Sequence, residues 1–144
     1  MMKLSVVIIT LNEEKNIRRC LESVKTVADE IVVVDSLSTD KTEEICGEYN
    51  VRFIKEKFRG YVEQVNYAME LATNNFVLAI DADEELSAEL IEAVQAVKKN
   101  KTADAYEMNR LSSYCGKFIY HGTWHPDIKI RLWDRTKGKW GGEN

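Results

Sequence analysis

The stretch FVLAIDADEELS, Phe76 to Ser87, sets four carboxylates within five positions, Asp81, Asp83, Glu84 and Glu85, directly behind an apolar run. Like charges gathered at one point repel unless they fan out into water or share a cation. Asp81 and Asp83, two positions apart where an extended segment ends, offer hard oxygen ligands. Such ligands suit Mg2+ or Mn2+, with phosphate oxygens completing the shell. The bland alternative is a helix N-terminus decorated with acids that complement its dipole. That accounts in part for Glu84 and Glu85 but poorly for Asp81. A phosphohydrolase using the first Asp as nucleophile is a further possibility. It would carry the motif near the first strand, with Thr or Val shortly after. Here the motif ends the fourth strand and Glu84-Glu85 follow, which argues against it.

The elements that must position these acids alternate along the chain. KLSVVIIT (3–10), DEIVVVDS (29–36), VRFIKE (51–56) and NFVLAID (75–81) read as strands, the first, second and fourth around apolar centres that suit buried strands. Between them, Ile17, Leu21 and Val24 recur at helical spacing, and Asp40 with Glu43 has the spacing of a capping box. Val62, Val65, Met69 and Ala72 predict one apolar side of a third helix, and Ser87 caps a fourth. Buried strands alternating with helices imply an α/β fold with a mostly parallel sheet and helices on both faces. Ligands of such sheets bind beyond the carboxyl ends of the strands. Thr10, Asp35 and Asp81 all fall at such ends, so three distant polar residues are expected on one rim. From about residue 104 the chain turns aromatic, DAYEMNRLSSYCGKFIYHGTWHPDIKIRLWDR, and reads as strands and loops laid over the sheet edge.

A chain of 144 residues fits one domain over 1–144, with 1–103 as the ligand-binding half and 104–144 opening a second segment. Its apolar runs are far shorter than the roughly 18 residues of a membrane span. The N-terminus lacks the long apolar centre of a signal peptide, so a cytoplasmic protein is expected. Cys20, Cys46 and Cys115 are widely spaced and odd in number, which predicts reduced thiols rather than disulfides or a zinc site. Net charge is −4, but from Lys98 onward ten Lys or Arg stand against five Asp or Glu. That basic tail either is a solvated surface or faces phosphates, an anionic glycan or a membrane surface.

Three segments, SVVIITLNEEKNIRRCLESV, ADEIVVVDSLSTDKTEEI and GYVEQVNYAMELATNNFVLAIDADEEL, together resemble the family 2 glycosyltransferases of the GT-A (Rossmann-like) fold. They are most similar to the bacterial subgroup that builds lipopolysaccharide core and related surface glycans, and the aromatic tail extends the resemblance over the whole chain. The resemblance implies that Thr10, Asn12 and Glu13 line a nucleotide base pocket, and that Asp35 accepts a hydrogen bond from the base, with Ser38 in the same loop. It implies further that Asp81 sits near the ribose, that Ala82 lies between the two acids, and that Asp83, with Asp81, holds Mn2+ or Mg2+ under the diphosphate. Gln64 and Asn66 match a polar motif that faces the donor.

The chain departs from the family in three places. The loop after Asp35 reads Ser36-Leu37 where a second Asp and a Gly are common. Val65 stands where a basic residue often precedes the motif's Asn, leaving Arg59 as a candidate phosphate contact. The family's catalytic carboxylate is expected beyond the aromatic segment, in this subgroup in a His-Glu pair just past Asn144. A truncated chain is therefore expected, with Asp127 and Glu143 as the late carboxylates available as general base. His121 and His125 flank Trp124 in a loop-like HGTWHP segment, more consistent with substrate-lining or surface histidines than a metal site. Trp124, Trp133 and Trp140 are candidates for sugar stacking or for core packing. Lys129 and Arg131 alternate toward a diphosphate, an anionic acceptor or solvent.

The expectation is thus an inverting, metal-dependent transferase acting from a nucleotide-sugar donor, with UDP-sugar the first choice, onto a glycan or lipid-linked acceptor. It would work in the cytoplasm at the inner face of a membrane, with peripheral membrane association and no nucleic-acid partner. The competing expectation is a non-catalytic or truncated module that only binds the nucleotide sugar.

Overall fold

The computed structural model describes residues 2–101, 105–109, 118–120 and 128–137. Four parallel strands carry the N-terminal part: β1 (Leu4–Thr10), β2 (Glu30–Asp35), β3 (Arg52–Lys55) and β4 (Phe76–Asp81). They are joined by α1 (Ile17–Val24), α2 (Thr42–Cys46) and α3 (Tyr61–Leu71), and β4 is followed by α4 (Ala88–Lys99). The strands β5 (Ala105–Asn109), β6 (Phe118–Tyr120) and β7 (Ile128–Asp134) complete a seven-stranded sheet ordered β3-β2-β1-β4-β7-β5-β6. The chain winds outward from β1 to β3, then crosses back to place β4 on the other side of β1. The gap between the carboxyl ends of β1 and β4 is therefore the topological switch point, where open α/β sheets bind ligands.

Strand alternation feeds two cores. Leu4, Val6 and Ile8 turn to the face covered by α1, α2 and α4, packing with Leu21, Cys46 and Leu90. Val7, Val32 and Val34 turn to the other face, under Val65, Ala68 and Met69 of α3. Ile17, Leu21 and Val24 are fully buried, as their spacing predicts. On α3 the buried stripe is Gln64, Val65, Ala68, Met69 and Ala72. Val62, expected on that side, is 40% exposed. It lies at the margin of the stripe, far enough round the 3.6-residue helix to leave the sheet. The capping box at Asp40 and Glu43 does not form. The N-cap of α2 is Lys41, without a side-chain cap, and Glu43 pairs with Lys55 at 2.9 Å. Ser87 does cap α4, accepting from the Leu90 N–H at 3.1 Å.

The C-terminal strands extend the sheet rather than lie over it. β7 pairs antiparallel with β4, which covers what would otherwise be an open edge. Its Leu132 and Trp133 point into opposite cores, so Trp133 is a packing residue. Trp124 and Trp140 lie outside the described residues. Tyr106 of β5 meets Phe76 edge-to-face, ring centroids 6.4 Å apart. The Arg135 and Arg52 guanidiniums donate to the last carbonyls of α3, Arg135 to Met69 and Ala72 and Arg52 to Leu71. Positive charge there also suits the helix dipole. Cys20 and Cys46 are buried free thiols, and burial raises both, Cys46 to about 12. Cys115 lies outside the described residues. Among the described residues, no helix is long and apolar enough to cross a membrane.

Lys98, the first cation of the basic tail, serves the fold. Its ammonium donates to the Val27 carbonyl at 2.7 Å and to Asp29 Oδ2 at 2.8 Å, and the same Asp29 oxygen accepts the Leu4 N–H. This ties the end of α4 to the start of β1. Partial burial alone would raise the Asp29 carboxyl, but Lys98 and the Leu4 N–H outweigh it and hold it below its ordinary value of 3.8. A depressed carboxylate stabilises the fold fully above its unfolded value and loses that contribution as pH falls through the folded one. Lys98→Met is expected to cost about 2 kcal/mol at neutral pH, leaving Asp29 and the Val27 carbonyl short of a donor. Thermal melts at pH 7 and in acid well below the depressed folded value of Asp29 check this. The gap between wild type and variant narrows in acid, where Asp29 is protonated in both.

Candidate functional site

The register brings the expected rim together. Thr10 pairs with Asp35 across β1 and β2, and Ile9 pairs with Asp81 across β1 and β4. At the switch point lies a pocket of about 300 Å3. Thr10, Glu13, Asp81, Ala82 and Asp83 line it, joined by Ile9, Leu11, Ser36, Phe58 and Tyr61. Thr10 is 3% exposed, and its Oγ1 has no hydrogen-bond partner among the described residues. A buried hydroxyl left unpaired costs free energy, so a polar group of a ligand entering the pocket is favoured there.

The loops after β1 and β2 are laced to each other. Asn12 adopts φ +53°, a region Asn tolerates, and its side-chain carbonyl accepts from the Thr39 and Asp40 N–H groups at 2.8 and 3.3 Å. Its own N–H donates to Ser38 Oγ at 2.7 Å. Ser38 Oγ in turn donates to Asp35 Oδ1 at 2.5 Å, and the Ser38 N–H donates to Asp35 Oδ2 at 2.8 Å. Asp35 is 1% exposed, so Ser38 supplies the donors its buried charge needs. Asp40 accepts from the Thr42 N–H and hydroxyl and from the Glu14 N–H. Those donors outweigh desolvation, which acts to raise its carboxyl, and hold it below its ordinary value. Leu37 sits at φ +66° and is 52% exposed. The left-handed turn that a glycine would make freely is retained by a leucine, at a cost of about 1 kcal/mol.

The turn after β4 is held from several sides. Glu84 Oε1 accepts the Asp81 N–H at 2.9 Å, and the Glu84 N–H returns to the Asp81 carbonyl at 3.0 Å. Arg19 of α1 pairs with Glu85 at 2.9 Å and reaches the Asp83 carbonyl at 3.4 Å. Glu84 and Glu85 thus shape the turn, and neither is in the first turn of α4, which begins at Ala88. Ala82 packs inward at 2% exposure, which turns the carboxylates on either side of it away from the core. Asp83 is exposed at the pocket wall, and the Tyr61 hydroxyl donates to Asp81 Oδ1 at 2.8 Å.

Gln64 takes a different place from the one expected. It is fully buried, donating to the Glu56 carbonyl at 3.1 Å and to Ser36 Oγ at 3.3 Å while accepting the Arg59 N–H at 3.2 Å. It braces the loop between β3 and α3 from behind the pocket. Asn66 is half-buried on α3 and does not line the pocket. Arg59 pairs with Glu56 at 3.3 Å and stacks over Tyr67, 4.8 Å from the ring centroid. Asp127, Glu143, His121 and His125 lie outside the described residues.

Among the described residues, no group of three or more His, Cys, Asp and Glu is placed to hold a metal. Asp81 and Asp83 offer carboxylate oxygens, the ligand type that Mg2+ and Mn2+ take, and those cations draw much of their shell from water and phosphate. Sequence patterns did not single out Tyr61 and Phe58. Their one signal is two aromatic residues either side of Gly60, itself at φ +118°.

Residues 5–143 match the model of glycosyl transferase family 2. The chain is 41% identical over 119 residues to an uncharacterized glycosyltransferase, RT0209, of Rickettsia typhi, covering 81% of this chain and 41% of that one. It is 43% identical over 94 residues to the lipopolysaccharide core biosynthesis glycosyltransferase LpsC of Rhizobium meliloti, covering 62% and 34%. This chain thus spans well under half the length of these relatives. In structure it is similar to S. aureus TarS 1-349 in complex with UDP-GlcNAc, with TM-score 0.62, 32% identity, and 72% and 33% of the two chains covered. It is also similar to the Pyrobaculum calidifontis mannosyltransferase PcManGT in complex with GDP-Man and Mn2+, with TM-score 0.60, 26% identity, and 73% and 34% covered. The fold is GT-A, and the chain belongs to glycosyl transferase family 2.

Proposed function

We propose that this chain is the donor-binding part of an inverting, metal-dependent glycosyltransferase that takes its sugar from a UDP-sugar. The carrying observation is the buried Thr10 hydroxyl, without a partner among the described residues, in a pocket that Asp81 and Asp83 also line. Asp35 accepts a donor from the base, Asp81 binds the ribose, and Asp83 with Asp81 holds Mn2+ or Mg2+. When bound, that cation supplies Lewis-acid stabilisation of the departing diphosphate. Asn12, Ser38 and Gln64 hold the loops that bring these groups together, and Glu13 lines the pocket beside them.

The acceptor hydroxyl attacks the anomeric carbon as the bond to the diphosphate breaks, and a carboxylate takes its proton. Asp127 and Glu143 are this chain's candidates for that base. The acceptor is a glycan or lipid-linked glycan of a bacterial cell surface, a role supported by the similarity to LpsC, whose name assigns it to lipopolysaccharide core biosynthesis. The basic residues of the tail suit an anionic acceptor or membrane surface. The test is binding of UDP with and without Mn2+.

A further inference from the structure

We infer that Tyr61 is a positioning residue for Asp81, its phenol hydroxyl setting the plane of the carboxylate that faces the donor. The inference rests on the donor-site reading above and assigns a residue to it. Tyr61 opens α3 and lines the same pocket as Asp81 and Asp83, and its hydroxyl lies 2.8 Å from Asp81 Oδ1.

The phenol is delivered by rigid parts. Behind it, α3 is fixed to the sheet by Val65, Ala68 and Met69. Before it, Gly60 at φ +118° makes a turn that L side chains rarely adopt. One turn on, Gln64 grips both Glu56 and Arg59, so the approach to Tyr61 is held from the inside. Asp81, by contrast, ends its strand at the pocket mouth. The last torsion of an Asp side chain is broad, and its carboxylate plane turns easily unless an oxygen is held. Holding Oδ1 from a fixed helix defines that plane.

The chemistry of the donor matters as well. A phenol orients a carboxylate without bringing a charge of its own to the site. An Arg or Lys in the same position would neutralise Asp81, as Arg19 does for Glu85 four residues on. Phenylalanine would fill the space and keep the ring on the rim, so the hydroxyl is the part of Tyr61 that this inference concerns.

The test is a double-mutant cycle read by titrating UDP in the presence of Mn2+ into wild type, Tyr61→Phe, Asp81→Ala and the double variant, carried to millimolar nucleotide. Tyr61→Phe is expected to weaken metal-dependent binding about 10- to 100-fold, as loss of a partner that orients a ligating group does. On the Asp81→Ala background the same change is expected to cost less than about twofold, because the two act as one unit. Tyr61→Leu separates hydroxyl from ring. Equal losses for Phe and Leu support the inference, while a harmless Phe beside a damaging Leu overturns it. A full Tyr61→Phe penalty persisting without Asp81 overturns it too. A wild type that binds no nucleotide with Mn2+ sinks the donor-site reading itself, and the role of Tyr61 falls with it. Wild-type binding that Tyr61→Phe leaves untouched sinks only the latter.

Discussion

Replacing Asp83 with Ala is expected to abolish Mn2+-dependent UDP binding, a loss above about 100-fold, beyond what removing a merely supporting partner costs. The fold should be unharmed. Asp83 is exposed, and Arg19 holds its backbone carbonyl, which the alanine variant keeps. Exposed substitutions of this kind usually stay within about 0.5 kcal/mol. Thermal melts together with titrations in Mn2+ and in chelator check both halves. Among the described residues no group of three or more His, Cys, Asp and Glu is placed to hold the cation in its stead. Normal metal-dependent binding by the variant would remove Asp83 from the site.

The second large effect is expected at Asp35. Its carboxylate is buried and already accepts two hydrogen bonds from Ser38, which is itself tied to Asn12. Asp35→Asn keeps the shape but turns one acceptor into a donor, so a Ser38 donor or the base loses its partner. Hydrogen bonds to buried charge are worth about 1.5–3 kcal/mol, so a stability loss of about 2 kcal/mol is expected. Affinity for UDP should fall roughly 10- to 100-fold by the same arithmetic. A loop staple and a base reader differ in one further respect. Uracil presents an N–H at its ring position 3 where cytosine presents a lone pair. If Asp35 reads the base, the variant's preference shifts from UDP toward CDP. Equal losses for both nucleotides would mean that Asp35 only holds the loop.

What the sequence made legible was the scaffold and its rim. The β-branched runs could only be buried strands, and their ends named Thr10, Asp35 and Asp81 before any register was known. Local pattern could not say which polar side chains would be consumed by the fold. Gln64 has the look of a ligand-facing residue on a helix, yet loop closure between β3 and α3 places three hydrogen-bonding groups around its amide and buries it completely. Asn12 is likewise spent on the neighbouring loop through contacts 27 and 28 positions away. The pairing of Glu85 with Arg19 and of Lys98 with Asp29 also joins distant residues, which no periodicity encodes. Tyr61 was hidden for the same reason. A tyrosine at a helix start says nothing until the fold sets its hydroxyl against a carboxylate from another strand.

Calorimetric titration of UDP into the wild-type protein, with Mn2+ and again in chelator, tests the donor site most directly. Binding that requires the metal is the predicted result, and it would direct the search for a sugar to UDP-linked donors. Absence of binding by UDP, and by GDP, dTDP and CMP in its place, with or without Mn2+, would contradict the assignment of this rim as a nucleotide-sugar site.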